Sequence, residues 1–185
     1  MKKLVKAWMK KACPSGLWYY LQHVLIVRHL GDRTVERSRT FGALVHDSTG
    51  KRCLQIGARD EKYAPHWTCV DLYDKAPYVD FNYDVHDLKF PDASFDIAVC
   101  NAVLEHIDDP PKAIRELGRV LAPGGLIWVE VPFTQQYHPC PHDHWRVSPT
   151  GLRIWMRDFE ELASGLFTAG GSPIHCGSFF YGRKR

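Results

Sequence analysis

Short apolar runs alternate with turns along residues 51–185. The runs are RCLQIG (52–57), WTCVDL (67–72), a weaker YVDFNYD (78–84), FDIAVC (95–100) and LIWVEVP (126–132). They predict strands, because they are short, rich in β-branched and aromatic residues, and bounded by Gly, Pro and Asp. Two more strands are predicted at about 159–164 and 174–181, on either side of a Gly-Gly-Ser-Pro turn.

The clearest helix is predicted between the fourth and fifth runs. Asp108-Asp109 supply an N-cap and Pro110-Pro111 open the first turn. Apolar residues then recur at a spacing of three to four, and Gly124-Gly125 is expected to end the helix. A strand, a helix and a further strand predict a right-handed parallel crossover. With a second helix expected from Pro149 to Met156, the pattern predicts an α/β sheet of about seven strands flanked by helices.

The N-terminal part differs from the rest in charge. Residues 1–40 hold nine Lys or Arg against two acidic groups, whereas the other 145 residues hold 15 basic and 19 acidic groups. The pattern predicts a basic amphipathic helix over residues 1–12. Such a helix would either contact an anionic membrane surface or pack on the body with its charged face in solvent, and we expect the second. We predict an N-terminal extension over residues 1–45 and one main domain over residues 46–185.

Composition narrows the class of protein. The chain has 185 residues, 45% hydrophobic and 24% charged, as in a soluble globular protein of one domain. The six cysteines show no C-x-x-C spacing, and Cys53, Cys69 and Cys100 fall in apolar runs, which indicates buried free thiols and a cytoplasmic location. The acidic body argues against a nucleic-acid partner.

Two residues at predicted strand ends point to a nucleoside ligand. In a parallel sheet, ligands bind beyond the carboxyl ends of the strands. Gly57 follows the first run and allows close backbone approach, and Asp71 ends the second run, where its carboxylate can accept both ribose hydroxyls.

Two longer motifs carry a family resemblance. They are DVHDLKFPDASFDIAVCNAVLEHIDDP (84–110) and IRELGRVLAPGGL (114–126). With the strands around them, they resemble class I S-adenosylmethionine-dependent methyltransferases of the type-11 kind. The resemblance implies a Rossmann-like, seven-stranded, mostly parallel sheet whose last strand is antiparallel, and S-adenosylmethionine as cofactor.

The resemblance also implies roles for particular residues. Gly57 would lie beneath the methionine and ribose, Asp71 would bind the ribose hydroxyls, and Leu72 would pack beside the adenine. Asp84 would accept from the adenine amino group with the Val85 backbone beside it, and Asn101 would line the methionine end. The first motif departs from the family, with Gln55 at the usual acidic position and Arg59 at the second glycine. A catalytically inactive protein of the same fold therefore remains an alternative.

A histidine-rich segment follows the fifth run, with His138, Cys140, His142 and His144 at alternate positions. Ligands spaced two apart rarely close a tetrahedron, so no metal site is predicted, and a metal-binding protein is the weaker alternative. A similar P-H-D-x-W-R segment lies over the acceptor site in related methyltransferases. There His142 or His144 would act as a base with Asp143 as orienter, and Arg146 would hold an anionic or sugar acceptor.

The expected function is methyl transfer to a small-molecule or glycan acceptor, on oxygen or nitrogen. Glu105-His106, at the foot of the connection into the crossover helix, is expected to be structural. The alternatives are distinguished by whether the chain binds the cofactor at all.

Overall fold

One mixed sheet organises the structure. The computed structural model describes residues 15–58 and 60–185, so the predicted basic helix over 1–12 and Arg59 lie outside the described residues. The helices are α1 (Ser15–Leu30), α2 (Thr34–His46), α3 (Pro110–Val120) and α4 (Pro149–Trp155), with short 3₁₀ turns at Leu104–His106 and Ala169–Gly171. The strands are β1 (Cys53–Ile56), β2 (Thr68–Val70), β3 (Phe95–Asn101), β4 (Leu121–Pro132), β5 (Phe159–Thr168) and β6 (Cys176–Lys184).

The strands follow the order β2-β1-β3-β4-β6-β5 across the sheet. Strands β1 to β4 pair in parallel, and β6 runs antiparallel to both β4 and β5. The Rossmann-like α/β class and the antiparallel last strand are therefore confirmed. The predicted seven strands are wrong, because the sheet has six.

The missing strand is the weak run at 78–84, which keeps one isolated bridge between Phe81 and Val70. Polar side chains of this run form hydrogen bonds with backbone groups that would otherwise pair with a neighbouring strand. The Asp80 carboxylate accepts from the Cys69 N–H at 2.7 Å, and the Asn82 amide donates to two backbone carbonyls, of Asp71 and Asp74, at 2.7 Å each. Such side-chain competition with the backbone ends the sheet at β2.

Helix α3 begins as predicted but ends earlier. The Asp109 side chain accepts from the Lys112 N–H at 3.0 Å, which caps the first turn. Gly124-Gly125 does not end the helix. The chain leaves helical geometry at Leu121, a fully buried residue that pairs with Phe95 at the start of β4.

Both faces of the sheet are covered. On one face α3 and α4 bury an aliphatic core, and on the other Trp128 and Phe179 stack beneath Phe41 of α2. As predicted, Cys53, Cys69 and Cys100 are buried. Across the described ranges, no helix combines the length and apolarity needed to cross a bilayer.

Helix α2 is anchored to the sheet by an ion pair between the half-buried Arg37 and the buried Glu130. Arg37 donates to both carboxylate oxygens of Glu130, with Nε–Oε1 at 2.7 Å and Nη2–Oε2 at 2.6 Å. Trp128 donates its indole N–H to the same carboxylate at 2.8 Å. The carboxylate is thus paired and hydrogen-bonded, as a buried charge requires. The helix that lies almost wholly within the predicted 1–45 extension consequently packs on the main domain.

Candidate cofactor and acceptor site

The carboxyl ends of three parallel strands meet around one cavity of about 790 Å³. This volume is in the range typical of small-molecule sites. Every predicted cofactor residue lines it, and so do two of the three predicted catalytic residues. The cofactor residues are Gly57, Asp71, Leu72, Asp84, Val85 and Asn101, and the catalytic ones are His142 and His144.

Gly57 follows β1 in a left-handed conformation, with φ of +89°. Its N–H donates to the carbonyl of Val70 at 2.9 Å. A Cβ atom built at this position would lie 2.6 Å from Cγ2 of Val103. Because a side chain would meet both backbone strain and this contact, glycine is required where the chain turns under the cavity.

Asp71 follows β2 and holds the rim of the cavity together. Its Oδ2 accepts from the Ala58 N–H at 2.8 Å. Its Oδ1 accepts from the backbone N–H groups of Tyr73 and Asp74, both at 2.9 Å. One carboxylate therefore links the loop after β1 to the loop after β2.

The adjoining wall combines apolar and acidic groups. Leu72 is 41% exposed and Tyr73 is 64% exposed in the cavity, whereas Val85 is buried. Asp84 accepts from His86 at the backbone N–H and at ring Nδ1, both at 2.8 Å and both through Oδ1. This wall suits a flat ring with an exocyclic amine, because an apolar side chain covers the face and a carboxylate accepts from the amine.

Asn101, the last residue of β3, lies between this cavity and a second one of about 440 Å³. Ala102 lines both cavities and has a positive φ of 55°, which is uncommon for a residue with a side chain. The second cavity is lined by Thr34 and Ser38 of α2 and by Thr168 at the end of β5. The two cavities therefore adjoin at the end of β3.

Gln55 has a structural role that the sequence does not reveal, because its side chain binds the backbone of the loop that follows β1. It is fully buried in β1, and its Nε2 donates to the carbonyls of Gly57 and Glu61 at 3.1 and 3.2 Å. Its Oε1 accepts from the Tyr63 N–H at 2.9 Å. A carboxylate has no N–H to donate to those two carbonyls. The amide thus fits the loop between 57 and 63 as this chain builds it.

The histidine-rich segment brings His142 and His144 to the larger cavity, with ring centroids 5.5 Å apart. Asp143 faces elsewhere: its carboxylate is fully buried and receives two hydrogen bonds of 2.6 Å from Arg146. These bonds hold the pKa of the Asp143 carboxyl well below its usual range. Arg146 also donates to the carbonyls of Gln135 and Gln136. The pair therefore shapes the segment that presents the two imidazoles.

Sequence reasoning missed the environment of Glu105. This residue of the first 3₁₀ turn is fully buried, and burial raises the pKa of its carboxyl to about 7. His106 and His138 lie beside it, with ring Nε2 atoms 3.8 and 3.7 Å from Oε1. The contact with His138 joins residues 33 positions apart in sequence, and a spacing pattern does not reveal such a pair.

Comparisons with known protein sequences show that the domain is similar to methyltransferases. Residues 61–129 match the family model described as "Methyltransferase domain". The chain is 31% identical over 124 residues to a malonyl-[acyl-carrier protein] O-methyltransferase of Erwinia pyrifoliae, covering 58% of this chain and 45% of that protein. It is 38% identical over 130 residues to a probable S-adenosylmethionine-dependent methyltransferase of Mycolicibacterium smegmatis, covering 66% of this chain and 48% of that protein.

Solved structures agree on the fold. The N-methyltransferase NodS of Bradyrhizobium japonicum, in complex with S-adenosyl-L-homocysteine, superposes with a TM-score of 0.62 at 19% identity, over 80% of this chain and 86% of that one. The family model and the sequence relatives confirm the resemblance to type-11 S-adenosylmethionine-dependent methyltransferases, and S-adenosylmethionine is the cofactor of that family. The chain spans about half the length of the curated relatives it matches.

The role of Gln55 predicts that Gln55→Glu, which restores the usual family acid, destabilises this protein. The new carboxylate would face the carbonyls of Gly57 and Glu61 without a proton to donate. We expect a loss of about 2 kcal/mol or more in the free energy of unfolding, measured by urea denaturation. Gln136→Glu adds the same charge at an exposed position and should change the free energy by less than about 0.5 kcal/mol. Unchanged stability of Gln55→Glu would contradict this role.

The close approach at Gly57 predicts a larger cost for Gly57→Ala than for Gly50→Ala. Both glycines have a positive φ, of 89° and 78°, but a Cβ at Gly50 meets no atom within 4 Å. Gly50→Ala should therefore show only the backbone strain of about 1–2 kcal/mol. Gly57→Ala should add the contact with Val103 and weaken S-adenosylhomocysteine binding, measured by denaturation and calorimetry. Equal costs for the two variants would contradict the steric argument.

Proposed function

We propose that this chain is a methyltransferase that transfers a methyl group from S-adenosylmethionine to a small-molecule or glycan acceptor, on oxygen or nitrogen. One observation carries the proposal. Four of the six residues that the family motifs assign to the cofactor lie at the ends of β1, β2 and β3, and the other two, Asp84 and Val85, lie in the segment between β2 and β3. All six line a single cavity. Nothing in the local sequence forces that convergence, which only the parallel sheet provides.

The proposed donor site uses the carboxylates of Asp71 and Asp84. A carboxylate has about four lone-pair sites, and Asp71 uses three for backbone N–H groups, which leaves one site for a ribose hydroxyl. Both hydrogen bonds to Asp84 use Oδ1, which leaves Oδ2 for the adenine amino group. Leu72 would cover the adenine ring, and Gly57 would lie under the ribose and methionine.

The proposed acceptor site is the smaller cavity, which shares Asn101 and Ala102 with the larger one. Hydroxyl side chains of Thr34, Ser38 and Thr168 line it, so it suits a small polar acceptor or one sugar unit. An acceptor there would lie next to the methionine end of the cofactor. Helix α2 would accordingly contribute to acceptor recognition.

The chemistry needs orientation more than acid or base groups. The bound cofactor supplies a methyl group on a sulfonium, and holding the acceptor in line with it provides most of the acceleration. A hydroxyl acceptor must also lose its proton, and an imidazole is suited to accept it. His142 and His144 line the donor cavity and not the smaller one, so they are the proposed bases for an acceptor hydroxyl that extends from the smaller cavity into the donor cavity. Asp143 acts as a positioning residue through Arg146.

Calorimetric titration with S-adenosylhomocysteine tests this function. We expect the wild-type chain to bind in the micromolar range and Asp71→Asn to bind at least about tenfold more weakly, a loss of about 1.4 kcal/mol. The physical reason is the lost charge on the group that accepts from a ribose hydroxyl.

Asp80→Asn is the matched control. Asp80 also accepts from a backbone N–H of the β2 region, that of Cys69, but does not line the cavity. It should lower stability without changing the affinity for S-adenosylhomocysteine. If folded wild-type protein shows no binding at millimolar ligand, the chain is a non-catalytic protein of the methyltransferase fold.

A further inference from the structure

The Glu105 carboxylate has no partner that accounts for its burial. Its side chain is fully buried, and among the described residues it alone has buried side-chain oxygens without a hydrogen-bond partner. A buried carboxylate in this state is costly unless it is paired, protonated or bound to a metal. Native structures leave few such groups without a reason.

Two imidazoles surround this carboxylate at a distance that is long for a hydrogen bond. Nε2 of His106 lies 3.8 Å from Oε1 of Glu105, and Nε2 of His138 lies 3.7 Å from it. Hydrogen bonds between such atoms are about 2.7–3.2 Å long. Two ligands on one tetrahedral ion, each bonded at about 2.0–2.2 Å, lie roughly 3.3–3.6 Å apart. The observed spacing is thus closer to that of two atoms that share an ion.

In both rings Nδ1 forms a hydrogen bond with a backbone carbonyl, and this contact fixes the orientation of the imidazole. Nδ1 of His106 lies 2.6 Å from the carbonyl of His142, and Nδ1 of His138 lies 2.8 Å from the carbonyl of Gln136. A carbonyl only accepts, so each Nδ1 must carry the proton. For His138 this contact is shorter than the 3.3 Å to Nη2 of Arg146. In a neutral ring Nε2 then carries the lone pair, and Nε2 is the nitrogen of each ring that lies near Glu105, as in metal-ligating histidines whose second nitrogen donates to a carbonyl.

The three ligand atoms all lie within 4.8 Å of one another. We propose that Glu105, His106 and His138 bind a divalent transition-metal cation, with Zn²⁺ as the ion that two imidazoles and one carboxylate suit best. Three protein ligands leave at least one coordination position. Because His106 also lines the donor cavity, the ion would lie at the wall of that cavity.

This site differs from the arrangement that the alternating histidines suggested. Of His138, Cys140, His142 and His144, only His138 contributes, and its partners come from the turn after β3. His142 and His144 line the cavity instead, and Cys140 is exposed. The backbone carbonyl of His142 accepts a hydrogen bond from Nδ1 of His106 and so fixes the orientation of that ring. The proposal stands independently of the methyl-transfer proposal, because it uses none of the six cofactor residues.

Titration of the chelator-treated 185-residue chain with Zn²⁺ tests the site, with Co²⁺ absorption as a spectroscopic measure of nitrogen and oxygen ligation. We expect one equivalent to bind and to raise the melting temperature. Glu105→Gln, His106→Ala and His138→Ala should each weaken binding at least about tenfold. Glu105→Gln keeps the side-chain shape and removes a buried charge, so it should fold even if a histidine variant does not.

His142→Ala and His144→Ala are the matched controls. Both come from the same segment, and His142→Ala keeps the carbonyl that supports His106. Each should bind Zn²⁺ as the wild type does. Absence of binding by folded wild-type protein would overturn the proposal, and so would undiminished binding by Glu105→Gln. Loss of binding in the His142 or His144 variant would overturn it in favour of a site within the alternating segment. Titration with S-adenosylhomocysteine on the same samples reports the cofactor site separately.

Discussion

The parallel register of β1, β2 and β3 is the constraint on which the site depends. Ile56 pairs with Val70 on one side and with Cys100 on the other, so the residues that follow these strands emerge at one edge of the sheet. Gly57, Asp71 and Asn101 meet there although 44 positions separate the first from the last. Strand β1 is buried along its whole length, and a shift of its register would move all three groups apart.

The loops at that edge are held by a few buried polar side chains. Gln55 ties the loop after β1, Asp71 joins that loop to the next one, and the Asp143–Arg146 pair shapes the segment above. Each of these side chains satisfies backbone or charged groups that would otherwise be left unpaired, which makes the site rigid before any ligand arrives. The departure at Gln55 from the family pattern fits the loop, since its amide donates two hydrogen bonds that a carboxylate cannot.

Much of this architecture follows from the sequence, and the failures have physical causes. Apolar runs predict β1 and β3 because both are buried, and Asp109 marks the start of α3 because its cap is a local contact. The run at 78–84 fails because Asp80 and Asn82 bind backbone groups that a strand would need. The family motifs predict which residues line the cavity, whereas the buried environment of Glu105 depends on His138, 33 positions away. Asp143 is likewise predicted as an orienter of histidine but pairs with Arg146, because the fold of the segment decides which neighbour it meets.

A crystal structure of this chain with S-adenosylhomocysteine would show whether the ends of β1, β2 and β3 form the donor site. We expect the ligand in the cavity of about 790 Å³, with a ribose hydroxyl hydrogen-bonded to Asp71, the adenine between Leu72 and Asp84, and the sulfur near Asn101. A ligand bound elsewhere, or a ribose that makes no contact with Asp71, would contradict the assignment of the strand ends as the donor site.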